Sequence, residues 1–515
     1  MKGGRSVTGM TGMKEQRWAE KTACPADKKF WKRLGAWIMT GICTASLLGG
    51  CAGTAVSSKT GSGESGQPAA ASSAPASEAE PSGRKICGSF IQPWLVENWT
   101  QERWDTEIQM MAEAGMQYII LQSVVDFTYD TEQDRGKDPA AYPLKSRLAL
   151  YPSSLPELEG VNNGVDSLKE CLEACKKYGL QAIIGPVSDN RWWLYGWGVP
   201  ETPAGSTDIV NDSYMTVWTR ENADVSNRIA SEITALYGKD YGGQIYAWYY
   251  NNEVWNIDVA CAGTDGGVYA RILSNSLNLS LRHYSAITPG MPMLISSFCN
   301  PTMAGTAAQT GKMWEDIFAL TEFREGDIFS PQDSFGNNTS MDLDEWTAAY
   351  KKAVDTKPGL ILWSNNENFR QGGAVARVDE FIRRQVDVTA KYAEANICFS
   401  WNHYYSPLEK NPGYNAAYLD YVKNGKLDAE PPSKPVLTAD GLTVSLNSED
   451  NIGICGVRIY RNKETNLVES IQCRDSGGDG TRLTRLTLDF PGTYFISTYD
   501  FCGNESDKTE ITVEE

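Results

Sequence analysis

The chain has 515 residues, 41% of them hydrophobic, and a formal net charge of −18. That charge repels polyanions, so nucleic acid is not an expected partner and neutral ligands are favoured. Only two histidines occur, His283 and His403, which excludes a multi-histidine zinc site and leaves a serine or cysteine triad few bases. No metal or other cofactor is expected.

Residues 1–50 are read as a leader rather than fold. Lys28, Lys29, Lys32 and Arg33 precede an apolar run from Leu34 to Leu48 that ends in Leu48-Gly49-Gly50-Cys51. The run is shorter than the roughly 20 residues that a membrane span needs. The segment resembles a bacterial lipoprotein signal with its lipobox. That resemblance implies cleavage before Cys51, lipid on its thiol, and attachment to the cell envelope outside the cytoplasm. Residues 51–84 are rich in Ser, Ala, Gly, Pro and Glu and hold no aromatic residue, a composition that cannot bury a core and predicts a flexible tether. Of the twelve cysteines, Cys24 and Cys43 lie in the leader, and no C-x-x-C spacing marks a metal cluster.

Over residues 85–430 strand-like and helix-like stretches alternate. Strands are predicted at 86–93, 117–125, 181–187, 244–250, 293–298, 327–330, 359–363 and 396–401. Helices are predicted from Thr100 to Gly115 and over 165–178, 217–237, 267–287, 306–323, 343–354, 375–393 and 415–422. Eight such units predict an α/β fold, a (β/α)8 TIM barrel. A doubly wound open sheet is the alternative, but Ile91-Gln92-Pro93-Trp94 lacks the glycines of a phosphate loop. The stretch 127–163 is read as a lid or cleft wall, with Tyr142 and Tyr151 lining it or packing it down. Pro431, Pro432 and Pro435 then mark a linker, and short alternating segments over 431–515 predict a small all-β sandwich. The Val457-Arg458-Ile459-Tyr460-Arg461-Asn462 strand and the Asp500-x-x-Gly503-Asn504 turn resemble fibronectin type III and related bacterial Ig-like modules.

In a parallel barrel the C-terminal strand ends form one rim, where chemistry is placed. The candidate rim residues are Gln92, Trp94, Gln122, Asp189, Asn252, Glu253, Gln332, Asp333, Glu367, Trp401, Asn402, His403 and Tyr404. Amides, carboxylates and indoles together suit a neutral carbohydrate, whose hydroxyls need donors and acceptors and whose C–H face stacks on aromatic rings. Trp192, Trp193 and Trp197 are further stacking candidates. Glu253 after the fourth strand and Glu367 after the seventh can face each other, as glycoside hydrolysis requires of two carboxyls. Asp333 is the reserve carboxylate. With the seventh strand predicted to stop at Trp363, Glu367 lies four residues beyond it.

Asn252-Glu253 with a glutamate after strand seven resembles the large clan of retaining TIM-barrel glycosidases. The resemblance implies Glu253 as acid/base, Glu367 as nucleophile and Asn252 as a partner of the sugar 2-hydroxyl. Ser89-Phe90-Ile91-Gln92-Pro93, Tyr151-Pro152-Ser153-Ser154, Ser330-Pro331-Gln332-Asp333-Ser334 and His403-Tyr404-Tyr405-Ser406-Pro407 resemble an uncharacterised bacterial family of glycoside-hydrolase-like barrels, a domain of unknown function. The expected function is a surface-anchored glycoside hydrolase. The alternative is a glycan-binding lipoprotein without catalysis, and a metal-dependent sugar isomerase ranks third because His403 is the only rim histidine.

Overall fold

A computed structural model describes residues 85–131, 138–192, 209–256, 268–299, 301, 305–336, 341–370, 374–473 and 483–514. The leader, Cys51, the tether, Trp193 and Trp197 lie outside the described residues.

Eight parallel strands close a barrel: β1 (Ile86–Ile91), β2 (Tyr118–Leu121), β3 (Gln181–Ile184), β4 (Ile245–Tyr250), β5 (Met293–Ile295), β6 (Ile328–Phe329), β7 (Ile361–Glu367) and β8 (Ala395–Phe399). Each pairs with its neighbours in sequence, and β1 closes on β8 through Ser89 opposite Cys398. Strands buried on both faces read as unbroken apolar runs, which is why the sequence announces them. Phe90, Ile120, Ile183, Ala247, Tyr249, Leu294, Ile328, Trp363 and Ile397 fill the lumen.

Helices cover the outside: α1 (Gln101–Glu113), α2 (Ser167–Tyr178), α3 (Ile209–Tyr241), α4 (Val268–Ile287), α5 (Ala307–Leu320), α6 (Leu343–Val354), α7 and α8 (Pro412–Asn424). Thr100 caps α1 by accepting the Arg103 N–H, and Gly179 ends α2 in the left-handed conformation. Thr306 and Gln309 form a capping box on α5. The α7 element runs from Val378–Phe381 through a π-turn, Ile382–Val386, into Asp387–Thr389.

Four expectations change. The helix predicted to end at 237 runs on through Gly238 to Tyr241 as α3, because Ile229, Ile233 and Tyr237 bury one face and outweigh the roughly 1 kcal/mol cost of an internal glycine. The predicted second strand breaks after Leu121, and Val125–Tyr129 starts a separate hairpin with Leu144–Ala149 that also pairs with Val187–Asp189. The stretch read as a lid is therefore partly a small sheet, with Tyr142 and Tyr151 packed inside it and Tyr151 donating to Glu232. Residue 375 lies in a second hairpin, Phe369–Arg370 with Ala374–Val375, so α7 begins later than predicted. Finally β7 extends to Glu367, because β8 supplies a ladder partner for every residue from Trp363 to Glu367. Tertiary pairing overrides the poor strand propensity of Ser-Asn-Asn-Glu.

The C-terminal region is all-β. One sheet has the order β9 (Val436–Asp440), β10 (Thr443–Asn447), β13 (Arg485–Thr487), and the other β12 (Leu467–Gln472), β11 (Ile454–Arg461), β14 (Gly492–Asp500), β15 (Thr509–Val513). Alternation along β10 buries Val444 and Leu446 and exposes Ser445. The region grips the barrel: Val378 donates to the Phe501 carbonyl at 3.0 Å, Gln472 to the Val375 carbonyl at 2.7 Å, and Tyr414 to the Cys473 carbonyl at 2.7 Å. All eight described cysteines carry thiols, seven of them buried.

Candidate active site

Glu253 follows the apolar strand β4, and its main-chain carbonyl accepts the buried Trp192 indole N–H at 3.0 Å. Trp192 itself packs on Trp218, so it anchors the strand end rather than presenting a stacking face. The Glu253 carboxyl is half-buried, and its Oε1 accepts from Gln332 Nε2 at 2.6 Å. Burial pushes its pKa up to about 7, and the Gln332 bond opposes that rise. A carboxyl poised there exchanges a proton near neutral pH, as a general acid/base must.

Glu367 ends β7 and is 3% exposed. Its Oε2 accepts the Gly336 backbone N–H at 2.6 Å. Burial, and after it the nearby Asp333 carboxylate, raises its pKa well above the usual range; Glu253 adds to the rise, while Gly336 and Arg370 oppose it. Glu367 thus feels the charge of Glu253 across the mouth. Asp333 is buried and accepts four hydrogen bonds, from Phe335 N, Glu367 N, Asn366 and Gln385. Those donors occupy it as a structural carboxylate behind Glu367.

An aromatic wall flanks the pair. Tyr404 stacks on Phe369 at 5.2 Å, and its hydroxyl is held protonated by burial and by the Glu367 charge. His403 lies against Phe399 and Trp94, and Trp94 is 37% exposed. His403 Nε2 accepts the Gln92 N–H at 3.3 Å, which assigns its proton to Nδ1. Burial, with Lys410 nearby, lowers its pKa to about 3, so the ring is neutral at physiological pH. Gln122 lies at the end of β2, half-buried, with its N–H on the Ile91 carbonyl. Asp189 is neutralised by Arg191, whose guanidinium sits 3.7 Å over Tyr129.

Three candidates fall elsewhere. Trp401 is fully buried and donates to Asn415 of α8. Asn402 is buried on the helix side, donating to Glu107 at 2.8 Å. Asn252 donates to Asn222 of α3 and to the Tyr250 hydroxyl, also on the helix side of its strand. Neither the stacking role read for Trp401 nor the hydroxyl-binding roles read for the two amides fits these positions. Conversely, Gly336, Gln385 and Phe369 shape the site without having been singled out. Gly336 carried a faint signal, as a glycine just past the Ser330–Ser334 motif; Gln385, inside a helix, carried none.

Residues 86–411 match the sequence profile of a family described as Domain of unknown function (DUF4434). The chain belongs to this family. The DUF4434 region spans all eight barrel strands and both candidate glutamates. No curated protein matches the chain. Solved structures similar to it include a candidate alpha-L-fucosidase from Bacteroides thetaiotaomicron, 19% identical at TM-score 0.49, covering 70% of this chain and 99% of that one. A Bacteroides uniformis beta-glucuronidase is 11% identical at TM-score 0.37, covering 84% of this chain and 46% of that one. The intracellular xylanase of Thermoanaerobacterium saccharolyticum is 10% identical at TM-score 0.32, covering 62% and 86%. These neighbours are glycoside hydrolases by description. At such scores the chemistry of the DUF4434 site rests on its own residues.

Proposed function

We propose that this protein is a glycoside hydrolase acting on neutral oligo- or polysaccharides, with Glu253 as acid/base and Glu367 as nucleophile. The observation that carries the reading is the pair itself: two carboxyls at one mouth, Glu253 just past the end of β4 and Glu367 at the end of β7, the first with its pKa pushed up by burial to about 7. Glu253, protonated, would donate to the glycosidic oxygen as the bond breaks. Glu367, ionised, would attack the anomeric carbon, and Glu253 would then deprotonate the water that releases the sugar. Trp94, His403 and Tyr404 offer a face for the pyranose ring, and Gln92, Gln122 and Gln332 offer amides for its hydroxyls.

Charge supports a neutral substrate. Arg191 is paired with Asp189 and Arg370 with Glu380, and residues 193–208, 257–267 and 337–340, which follow barrel strands, contain no Lys or Arg. The same reading places the enzyme at the cell envelope, tethered by lipid on Cys51 through residues 52–84, with the fibronectin-like C-terminal module of residues 431–515 as a spacer. Metabolic labelling with a radioactive fatty acid checks the anchor: label lost in Cys51→Ala supports it, and equal label in both chains removes it.

The decisive test is a glycan panel incubated with wild type and Glu253→Gln. Product from wild type alone supports the assignment, whereas equal product from both removes Glu253 from it. The anomer released first separates retention from inversion. A second reading, glycan binding without hydrolysis, is favoured by one observation, the upward shift of Glu367, since a protonated carboxyl is no nucleophile. It predicts saturable binding and no product from either chain.

A further inference from the structure

Between β7 and α7 lies a buried polar cluster that the hydrolytic chemistry does not itself require. The Asp333 carboxylate, 1% exposed, accepts from Phe335 N at 3.1 Å and Glu367 N at 3.2 Å on Oδ1. Its Oδ2 accepts from Asn366 Nδ2 at 3.0 Å and Gln385 Nε2 at 2.7 Å. The same Gln385 nitrogen donates to the Glu367 main-chain carbonyl at 2.6 Å. Gln385 is fully buried and sits inside the π-turn of α7, a departure from α-geometry that recurs at functional sites. Burying a carboxylate and an amide here is costly unless their bonds are made, and an apolar contact would suffice to pack a helix on a strand.

We propose that Gln385 is a positioning residue for Glu367: its shared amide nitrogen locks the Asp333 carboxylate to the last peptide of β7, so that Asp333 governs when Glu367 carries charge. Its purpose rests on the hydrolase reading above, but its measurement does not. The groups facing Glu367 are Asp333, Glu253, Arg370 and Tyr404, with Arg370 itself held by Glu380. Asp333 faces Glu367 and Cys398. Burial raises the pKa of Asp333 and its four donors oppose that rise by favouring the ionised form, and negative charge there opposes ionisation of Glu367. Removing the Gln385 donor loosens that charge, so Glu367 should lose its proton at lower pH.

The test uses the full chain carrying carbon-13 at the glutamate side-chain carboxyls, with the Glu367 resonance assigned by its loss in Glu367→Gln. In Gln385→Leu the Glu367 midpoint is expected to fall by about one pH unit or more. Asp333→Asn is expected to lower it at least as far, and adding Gln385→Leu to Asp333→Asn should move it no further. An unmoved midpoint in Gln385→Leu, or shifts that add in the double variant, would overturn the proposal. Gln385→Asn, too short to reach both oxygens, gives the same sign should the leucine variant fail to fold. On any glycan that wild type cleaves, the acid limb of the rate profile should follow the titration with KM unchanged. Absence of cleavage by wild type would sink the hydrolase reading, while the titration would still decide the role of Gln385.

Discussion

Gly336 donates its backbone N–H to Glu367 Oε2 at 2.6 Å, and a Cβ built on Gly336 would stand 2.8 Å from that oxygen and 2.3 Å from the Phe369 ring. The position can therefore hold the carboxyl only while it carries no side chain. Gly336→Ala should displace both Glu367 and Phe369, costing about 1–3 kcal/mol of stability, the range for overpacking a filled site. Urea unfolding of the variant against wild type measures the cost, and an unchanged midpoint would show that the ring and carboxyl yield freely.

Glu253→Gln should remove hydrolysis and yet stabilise the fold at alkaline pH. The folded pKa near 7 exceeds the ordinary 4.5, so between those values the folded state binds more protons and stability falls as pH rises. Well above pH 7 wild type bears the full cost of charging this half-buried carboxyl, about 3 kcal/mol at most, which the neutral amide avoids. Melting curves at pH 5 and pH 8 should show a much larger gain for the variant at pH 8.

Hydrolysis, where a substrate is found, should decline above about pH 7 as Glu253 loses its proton. No limb should trace to His403, because its pKa near 3 keeps it neutral across the working range. A His403→Gln profile with the wild-type alkaline limb agrees with this, whereas loss of a limb near pH 6 would assign it to the histidine.

Two tryptophans at neighbouring strand ends should behave oppositely. Trp94 is partly exposed beside His403, so Trp94→Ala should weaken glycan binding by roughly 5- to 10-fold, about 1 kcal/mol, with the fold intact. Trp401 is fully buried and bonded to Asn415, so Trp401→Ala should cost about 3–5 kcal/mol of stability. Calorimetric titration with a bound glycan and thermal melts separate the two outcomes.

The barrel was legible because strands such as Ile245–Tyr250 are apolar throughout and their helices begin and end on caps such as Thr100 and Gly179. Glu253 was legible as the first carboxylate after such a strand. The reach of β7 was not, since Ser364 to Glu367 owe their pairing to β8, a partner remote in sequence. Nor was the facing of the last strand end. The chain enters a helical turn at Trp401–Tyr404, so successive side chains rotate by about 100° instead of alternating. His403 and Tyr404 thereby reach the mouth, while Trp401 and Asn402 turn into the interior.

The grip of the C-terminal sheets on the barrel bears on where this protein can be cut. Gln472 holds the Val375 carbonyl, at the base of the hairpin whose other strand begins two residues after Glu367. Tyr414, which lies beyond the family match ending at residue 411, stacks on Tyr405 at 5.7 Å and meets Phe501 at 4.8 Å. A fragment trimmed to the matched region would keep both glutamates and lose the clamp behind one of them. The smallest unit worth expressing is thus larger than the smallest unit that a sequence profile recognises.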